Sequence, residues 1–232
     1  MLLSLNHRLF GCDIVKSKTV STKSEMNYKL FILPLTLITY GTIGIESDDL
    51  KIFNSEVKEE INENIDENLT IDDYSQYIPF LSVYALNKVG VRGRNNLKDA
   101  TLILGCAYGI MGASVLSLKY LTKVERPDGS TKNSFPSGHT ATAFMGAEFL
   151  YQEFKHKSIW YGIAGYTIAV GTGAFRMYND RHWFTDVTAG AGFGILSTRV
   201  SYILFNKKKS KTVLQNIQPY INSKYCGVIL EF

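Results

Sequence analysis

Cysteine is scarce in this 232-residue chain, with Cys12, Cys106 and Cys226 the whole complement. They are odd in number, far apart and form no CxxC pair, which argues against both a zinc site and a disulfide framework. Cys106 lies inside an apolar run and is expected to pack in a core. A strong charge imbalance is also missing. The formal charge of +4 comes with no basic face and no matching motif, so nucleic acid is not an expected partner. No long low-complexity tract occurs, and apolar residues make up 45% of the chain, which excludes global disorder. The length suits one domain with a sizeable core.

What is present is unevenly spread. Residues 46–76 carry eleven acids against two lysines, and this stretch pulls the mean hydropathy down to near zero. Within it, 55–68 reads as an acidic amphipathic helix. The rest of the chain is far more apolar. Six apolar helices are expected, at 28–45, 77–91, 97–119, 138–153, 158–175 and 184–205. The first, with Tyr28 and a snorkelling Lys29, has about the length needed to span a bilayer. The second is short and interrupted by Asn87 and Lys88, and the fourth is short and carries Glu148. Gly105, Gly109 and Ala113 fall at four-residue spacing, as do Gly190 and Gly194. Such spacing lets helix backbones approach closely, in a membrane bundle or in a soluble all-α core.

The basic residues sort by side. Segments 1–27, 92–98, 154–158 and 206–211 hold Arg8, Lys16, Lys18, Lys23, Arg92, Arg94, Lys98, Lys155, Lys157, Lys207, Lys208, Lys209 and Lys211. The intervening segments 46–76, 120–137 and 176–183 are acidic or mixed. This alternation matches the excess of positive charge on the cytoplasmic side of membrane proteins, with both termini inside. The expected organisation is a basic arm at 1–27, a six-helix domain at 28–205, and a basic linker and tail at 206–232. The partial alternation of Tyr225, Val228, Leu230 and Phe232 suggests a short strand. A rival reading takes Met26–Ile45 as a cleaved secretory signal and the remainder as a periplasmic all-α protein. Against it, the stretch lacks a clear small-x-small cleavage site and runs into Glu46.

Three clusters fall at helix ends on the proposed outer side: Lys119-x6-Arg126-Pro127, Pro136-Ser137-Gly138-His139 and Arg176-x5-His182-x3-Asp186. Singly each has an ordinary explanation. Lys119 suits a helix C-terminus, Ser137 suits a helix cap, and His182 with Asp186 suits a surface pair one helical turn apart. Together they suit a phosphate. Lys119, Arg126 and Arg176 would neutralise its oxygens, and amides at Ser137 and Gly138 would add donors. One histidine could attack phosphorus while the other protonates the leaving oxygen, and Asp186 would fix a histidine tautomer. No carboxylate motif for magnesium is recognisable nearby, so fixed cations are expected to replace a metal, with no cofactor.

These motifs resemble the three-part signature of the type 2 phosphatidic acid phosphatase family, which shares its site with vanadium haloperoxidases. The match covers 119–186 directly, and the helix arrangement extends it to about 28–205. The resemblance implies that His182 is the nucleophile that becomes phosphorylated and Asp186 orients it. It implies that His139 is the acid for the leaving group and then the base for water, while Lys119, Arg126, Ser137, Gly138 and Arg176 bind phosphate. Where the family often has serine before the last arginine, this chain has Phe175, for which a small effect on the pocket is expected.

The expected fold is therefore an all-α bundle in a membrane, and the expected activity is metal-independent hydrolysis of a lipid phosphate or diphosphate. Candidate substrates by family are phosphatidic acid, phosphatidylglycerol phosphate, undecaprenyl diphosphate and lipid A phosphate. The expected location is a bacterial inner membrane with the site facing the periplasm, in contact with the bilayer and with no obligate protein partner. A soluble acid phosphatase, a vanadate-dependent haloperoxidase and a non-catalytic lipid-binding protein are the alternatives.

Overall fold

A computed structural model describes residues 28–62, 70–215, 217–222 and 225–230. The basic arm 1–27 lies outside the described residues. The helices are α1 (Lys29–Glu46), α2 (Asp48–Asn62), α3 (Ile71–Ser75), α4 (Ile78–Lys88), α5 (Leu97–Thr122), α6 (Gly138–Phe154), α7 (Trp160–Tyr178) and α8 (Phe184–Gln215). Strands β1 (Ile217–Asn222) and β2 (Tyr225–Leu230) form an antiparallel hairpin that pairs Ile217 with Leu230 and Asn222 with Tyr225. All six expected apolar helices are present, as α1 and α4–α8.

Helix α6 is the axis of the bundle and packs against α4, α5, α7 and α8, while α1 lies along α8. Small residues make these approaches possible. A Cβ on Gly190 would lie 2.5 Å from the Ser137 carbonyl oxygen, and one on Gly194 would overlap that of Ala141. At the other face of α8, a Cβ on Gly41 would come within 2.5 Å of Thr185 O, and one on Gly192 within 2.7 Å of Pro34 O. Thus α1 is fitted to α8 backbone to backbone. The core between the helices is apolar: Ile103, Met111 and Val115 of α5, Met145, Phe149 and Phe154 of α6, and Tyr202 of α8.

Polarity is partly inverted relative to a water-soluble protein. Large apolar side chains lie outside, including Ile32, Leu33 and Leu35 on α1, Leu102 and Leu116 on α5, and Ile163 and Val170 on α7. Glu148 and Glu153 are fully buried. Glu148 accepts from Arg199 Nε at 3.0 Å, from Gln152 at 2.6 Å and from the Tyr166 hydroxyl. Glu153 accepts from Tyr202 Oη at 2.6 Å and from Asn95 Nδ2 at 2.7 Å. Exposed rows of leucine and isoleucine around buried, mutually satisfied polar groups suit hydrocarbon as the surrounding solvent. Among the described residues, α1 and α5 are long and apolar enough to cross a bilayer.

Several expectations are corrected. Cys106 is exposed on the outer face of α5, not in the core. Gly105 and Gly109 share that outer face, where an added Cβ would meet nothing within 4 Å, so their spacing packs no described helix of this chain. Helix α4 has 11 residues, about 16 Å at the usual rise, so its flanking turns complete the path from Asp73, beside His139 at the start of α6, to Arg94, which bonds Glu153 O at its end. The acidic helix begins at Asp48 rather than 55, and its expected end at 68 falls outside the described residues. Helix α8 continues past 205 to Gln215, because lysine is a good helix former and the basic cluster does not break it.

Candidate active site

The three sequence clusters meet at the end of the bundle where α5 stops, α6 starts and α7 turns into α8. Helix α5 ends on the left-handed Lys123 (φ 50°), which turns the chain into the 123–137 loop. Asn133 gathers this loop. Its side-chain oxygen accepts from Arg126 Nε at 3.0 Å and from Thr131 Oγ1 at 2.8 Å, and its carbonyl accepts from Lys119 Nζ at 2.5 Å. Lys119 also donates to Ser134 O at 3.2 Å. Asn133 and Ser134 therefore hold the first cluster in place, although neither belongs to the motifs.

Ser137 sits at the N-cap of α6, but its hydroxyl pairs with Thr140 Oγ1 at 2.8 Å and does not cap the helix, contrary to expectation. Its backbone N–H donates to Asp186 O at 3.0 Å, which joins the second cluster to the third. Beside Gly138 there is room, since an added Cβ would meet only Val115 Cγ1 at 3.9 Å.

His182 precedes α8 and is not on the helix with Asp186; the spacing of four is instead met by a turn into the helix. Asp186 lies in the first turn, where its Oδ2 accepts from Trp183 N–H at 3.0 Å. The same oxygen accepts from the Ser134 hydroxyl at 2.5 Å and lies 3.6 Å from His182 Nδ1. Ser134 Oγ is 3.4 Å from that Nδ1. His182 and Asp186 are both buried. Burial pushes the His182 pKa down to about 4, against the opposing pull of Asp186, while Lys119 and Arg176 add to the lowering. The ring is therefore neutral at ordinary pH. Helix α2 buttresses this turn: Asn54 Nδ2 donates to Thr185 Oγ1 at 2.9 Å, and Lys58 donates to Pro127 O at 2.9 Å.

The acidic stretch supplies an unforeseen part of the site. Helix α3 brings Asp72 onto Arg176, as a buried ion pair, and onto Asn179 at 2.9 Å. Asp73 Oδ1 lies 3.0 Å from His139 Nε2 and 3.7 Å from Arg176 Nη1. A cavity of about 280 Å³ opens here, lined by Asp72, Asp73, Arg126, His139, Arg176 and Arg181 among others. Arg176 Nε is buried and has no hydrogen-bond acceptor among the described residues. His182 does not line this cavity; its backbone N–H donates to Arg176 O at 3.3 Å. Phe175 stacks edge-on against Tyr178, with ring centroids 5.9 Å apart.

Carboxylates thus do stand in the site, where none was recognisable as a motif. Asp72, Asp73 and His139 place one donor atom each within 4.8 Å of one another. Arg176 already lies on these carboxylates, so a divalent ion would enter against a fixed positive charge. The donor set fits a metal poorly. The arrangement as a whole offers fixed cations and an unsatisfied donor to an anion, beside one neutral buried imidazole and one half-buried imidazole paired with a carboxylate.

Residues 100–210 match the family model of the PAP2 superfamily. The chain is 42% identical over 135 residues to the lipid A 1-phosphatase of Porphyromonas gingivalis, covering 57% of this chain but 30% of that protein. It therefore spans about a third of that relative's length. It is 28% identical over 162 residues to the lipid A 4'-phosphatase of Helicobacter pylori, covering 68% of this chain and 78% of that protein. Two crystal structures share the fold. One is LpxE of Aquifex aeolicus (TM-score 0.52, 24% identity, covering 65% of this chain and 95% of that one). The other is the transmembrane PAP2 type phosphatidylglycerolphosphate phosphatase of Bacillus subtilis (TM-score 0.55, 21% identity, covering 75% and 96%).

Proposed function

We propose that the chain is a membrane-embedded phosphatase of the PAP2 superfamily that removes phosphate from a lipid, with a lipid A-type glucosamine phosphate as the favoured substrate; the family-model match over residues 100–210 and the two lipid A phosphatase relatives support this reading. The observation that carries the reading is the convergence of all three motifs on one buried imidazole–carboxylate pair, His182–Asp186, under Lys119, Arg126 and Arg176. Arg176 Nε, a buried donor without an acceptor among the described residues, supports an anion as the ligand.

In this reading neutral His182 attacks phosphorus, and the bond from phosphorus to the leaving oxygen breaks. His139 gives that oxygen a proton. Water then attacks the phosphohistidine, His139 takes a proton from it, and His182 leaves as the neutral ring. Asp186 holds His182, aided by Ser134. Lys119, Arg126 and Arg176, with the Gly138 amide, stabilise the charge that develops on the phosphoryl oxygens, while the Ser137 amide, expected to join them, is instead held by Asp186 O. No metal step is needed.

The site is read as facing the periplasm. The opposite end of the bundle carries Arg92, Arg94, Lys98, Lys155 and Lys157, the pattern of a cytoplasmic face, and Arg94 N–H donates to Glu153 O there at 2.9 Å. The close fit of Gly41 and Gly44 on α8 favours α1 as a retained span over a cleaved signal.

The test is phosphate release by purified protein and its His182→Ala variant. Substrates are lipid A, phosphatidic acid, phosphatidylglycerol phosphate, undecaprenyl diphosphate and a soluble aryl phosphate, assayed in membranes and in supernatant. Turnover of lipid A in membranes, lost in His182→Ala, is expected. Unchanged release by His182→Ala would overturn the phosphohistidine mechanism. Higher activity in supernatant would overturn the membrane assignment, and vanadate-dependent bromide oxidation without phosphate release would replace the activity altogether.

A further inference from the structure

Asp73 stands outside every motif, yet it is built into the site. Its helix α3 is pinned to α7 and the residue just after it at three points: Asp72 on Arg176, Asp72 on Asn179 at 2.9 Å, and Ser75 Oγ against Thr172 Oγ1 at 2.8 Å. The Asp73 carbonyl also accepts from Gln76 Nε2 at 2.9 Å. With its backbone held, the Asp73 carboxylate has a set position, 3.0 Å from His139 Nε2.

We propose that Asp73 is a positioning residue for His139, a carboxylate that fixes the imidazole ring and sustains its protonated form for transfer to the leaving group. The proposal rests on the acid role given to His139 above and adds the residue that makes that role workable. His139 is otherwise poorly placed to hold a proton. Arg176 faces it from α7, and Arg126 and Arg181 line the same cavity. Burial also disfavours the imidazolium. Against these, Asp73 and Asp72 of α3 favour it. Asp72 is committed to Arg176 and Asn179, which leaves Asp73 as the carboxylate in direct contact with the ring. The site then contains two imidazole–carboxylate pairs of opposite character. The His182 ring beside Asp186 is buried and neutral, suited to attack, whereas His139 with Asp73 is half exposed and suited to proton exchange. An exposed pair contributes little to folding, so its removal reads chemistry.

The experiment measures kcat/KM, which reports phosphoryl transfer to His182, for Asp73→Asn, Asp73→Glu and His139→Ala. Two substrates are used. An alkyl phosphate has a poor leaving group that needs a proton, and p-nitrophenyl phosphate has one that does not. Asp73→Asn is expected to lose about 10- to 100-fold on the alkyl phosphate and little on the aryl phosphate. The basic limb of its pH profile should move to lower pH, because the imidazolium loses its partner. Asp73→Glu should restore part of both effects. Equal losses on the two substrates, an unmoved basic limb, or a gain in activity on freeing His139 would each overturn the proposal. If His139→Ala shows the leaving-group dependence and Asp73→Asn does not, the proposal fails while the mechanism stands. If His139→Ala shows none, the acid assignment fails and the proposal with it.

Discussion

The Ser134 hydroxyl donates to Asp186 Oδ2 at 2.5 Å, from a residue 52 positions earlier in the chain. It shares that oxygen with the Trp183 amide, and both bonds hold the carboxylate that faces His182. Ser134→Ala removes a hydrogen bond to a charged group, a contribution of about 1.5–3 kcal/mol. The expected result is a fall of about 10- to 100-fold in kcat with KM nearly unchanged, since about 1.4 kcal/mol corresponds to tenfold. Steady-state kinetics on the aryl phosphate measure it, and wild-type kcat would show that Trp183 alone suffices.

Low pH should act on His182 in two ways. Its pKa in the folded protein is about 4, against an ordinary 6.5. The ring that attacks phosphorus must be neutral, so the acidic limb of kcat/KM due to this residue is expected near pH 4 and not near 6.5. The same depression makes the unfolded chain take up the proton first. Stability from this group is complete above pH 6.5 and is lost progressively as pH falls through 4. Denaturation in detergent across this range, for wild type and His182→Gln, measures the difference between them.

Asp72→Ala should unfold more readily than wild type, because it leaves the Arg176 guanidinium buried without its counter-charge. Breaking a buried pair from one side costs about 3–5 kcal/mol. Arg176→Ala leaves Asp72 stranded in turn, and the double variant should recover part of the loss. Thermal unfolding of the three proteins decides; additive losses would mean that the pair is not coupled.

At the opposite end, Glu148→Ala is expected to be as damaging to stability, since Arg199, Gln152 and Tyr166 all converge on that carboxylate. Protein that does fold should keep its KM and pH profile, because this cluster lies well along α6 from His139. A changed pH profile would connect Glu148 to the chemistry.

The motif residues were legible in the sequence because their spacings are local. Arg126 before a proline, Ser137-Gly138 at a helix start and His182 before Asp186 each announce themselves within a few positions. Asp72 was not legible, since its partner Arg176 is 104 positions away and nothing in an acidic run distinguishes a carboxylate that turns inward. The one available signal was its place: an acidic stretch on the same proposed side as three clustered cations. Asn133 and Ser134 were missed because they act through a carbonyl and a hydroxyl that many loop residues could offer. Cys106 was misread because an apolar run looks the same facing core or lipid. The same ambiguity hid the outward direction of Gly105 and Gly109, whereas Gly190 and Gly194 do pack as their spacing suggests.

The glycine contacts between α6 and α8 bear on how such a molecule can change. His139 rides on α6 and Asp186 on α8, and where Gly190 and Gly194 lie against Ser137 and Ala141 the two helices touch through backbone. A separation set by main chain does not depend on which side chains clothe the rest of either helix. The outward surfaces can therefore be rewritten for a thicker or thinner bilayer, or for a differently shaped acyl chain, while the spacing of the reacting groups stays as it is.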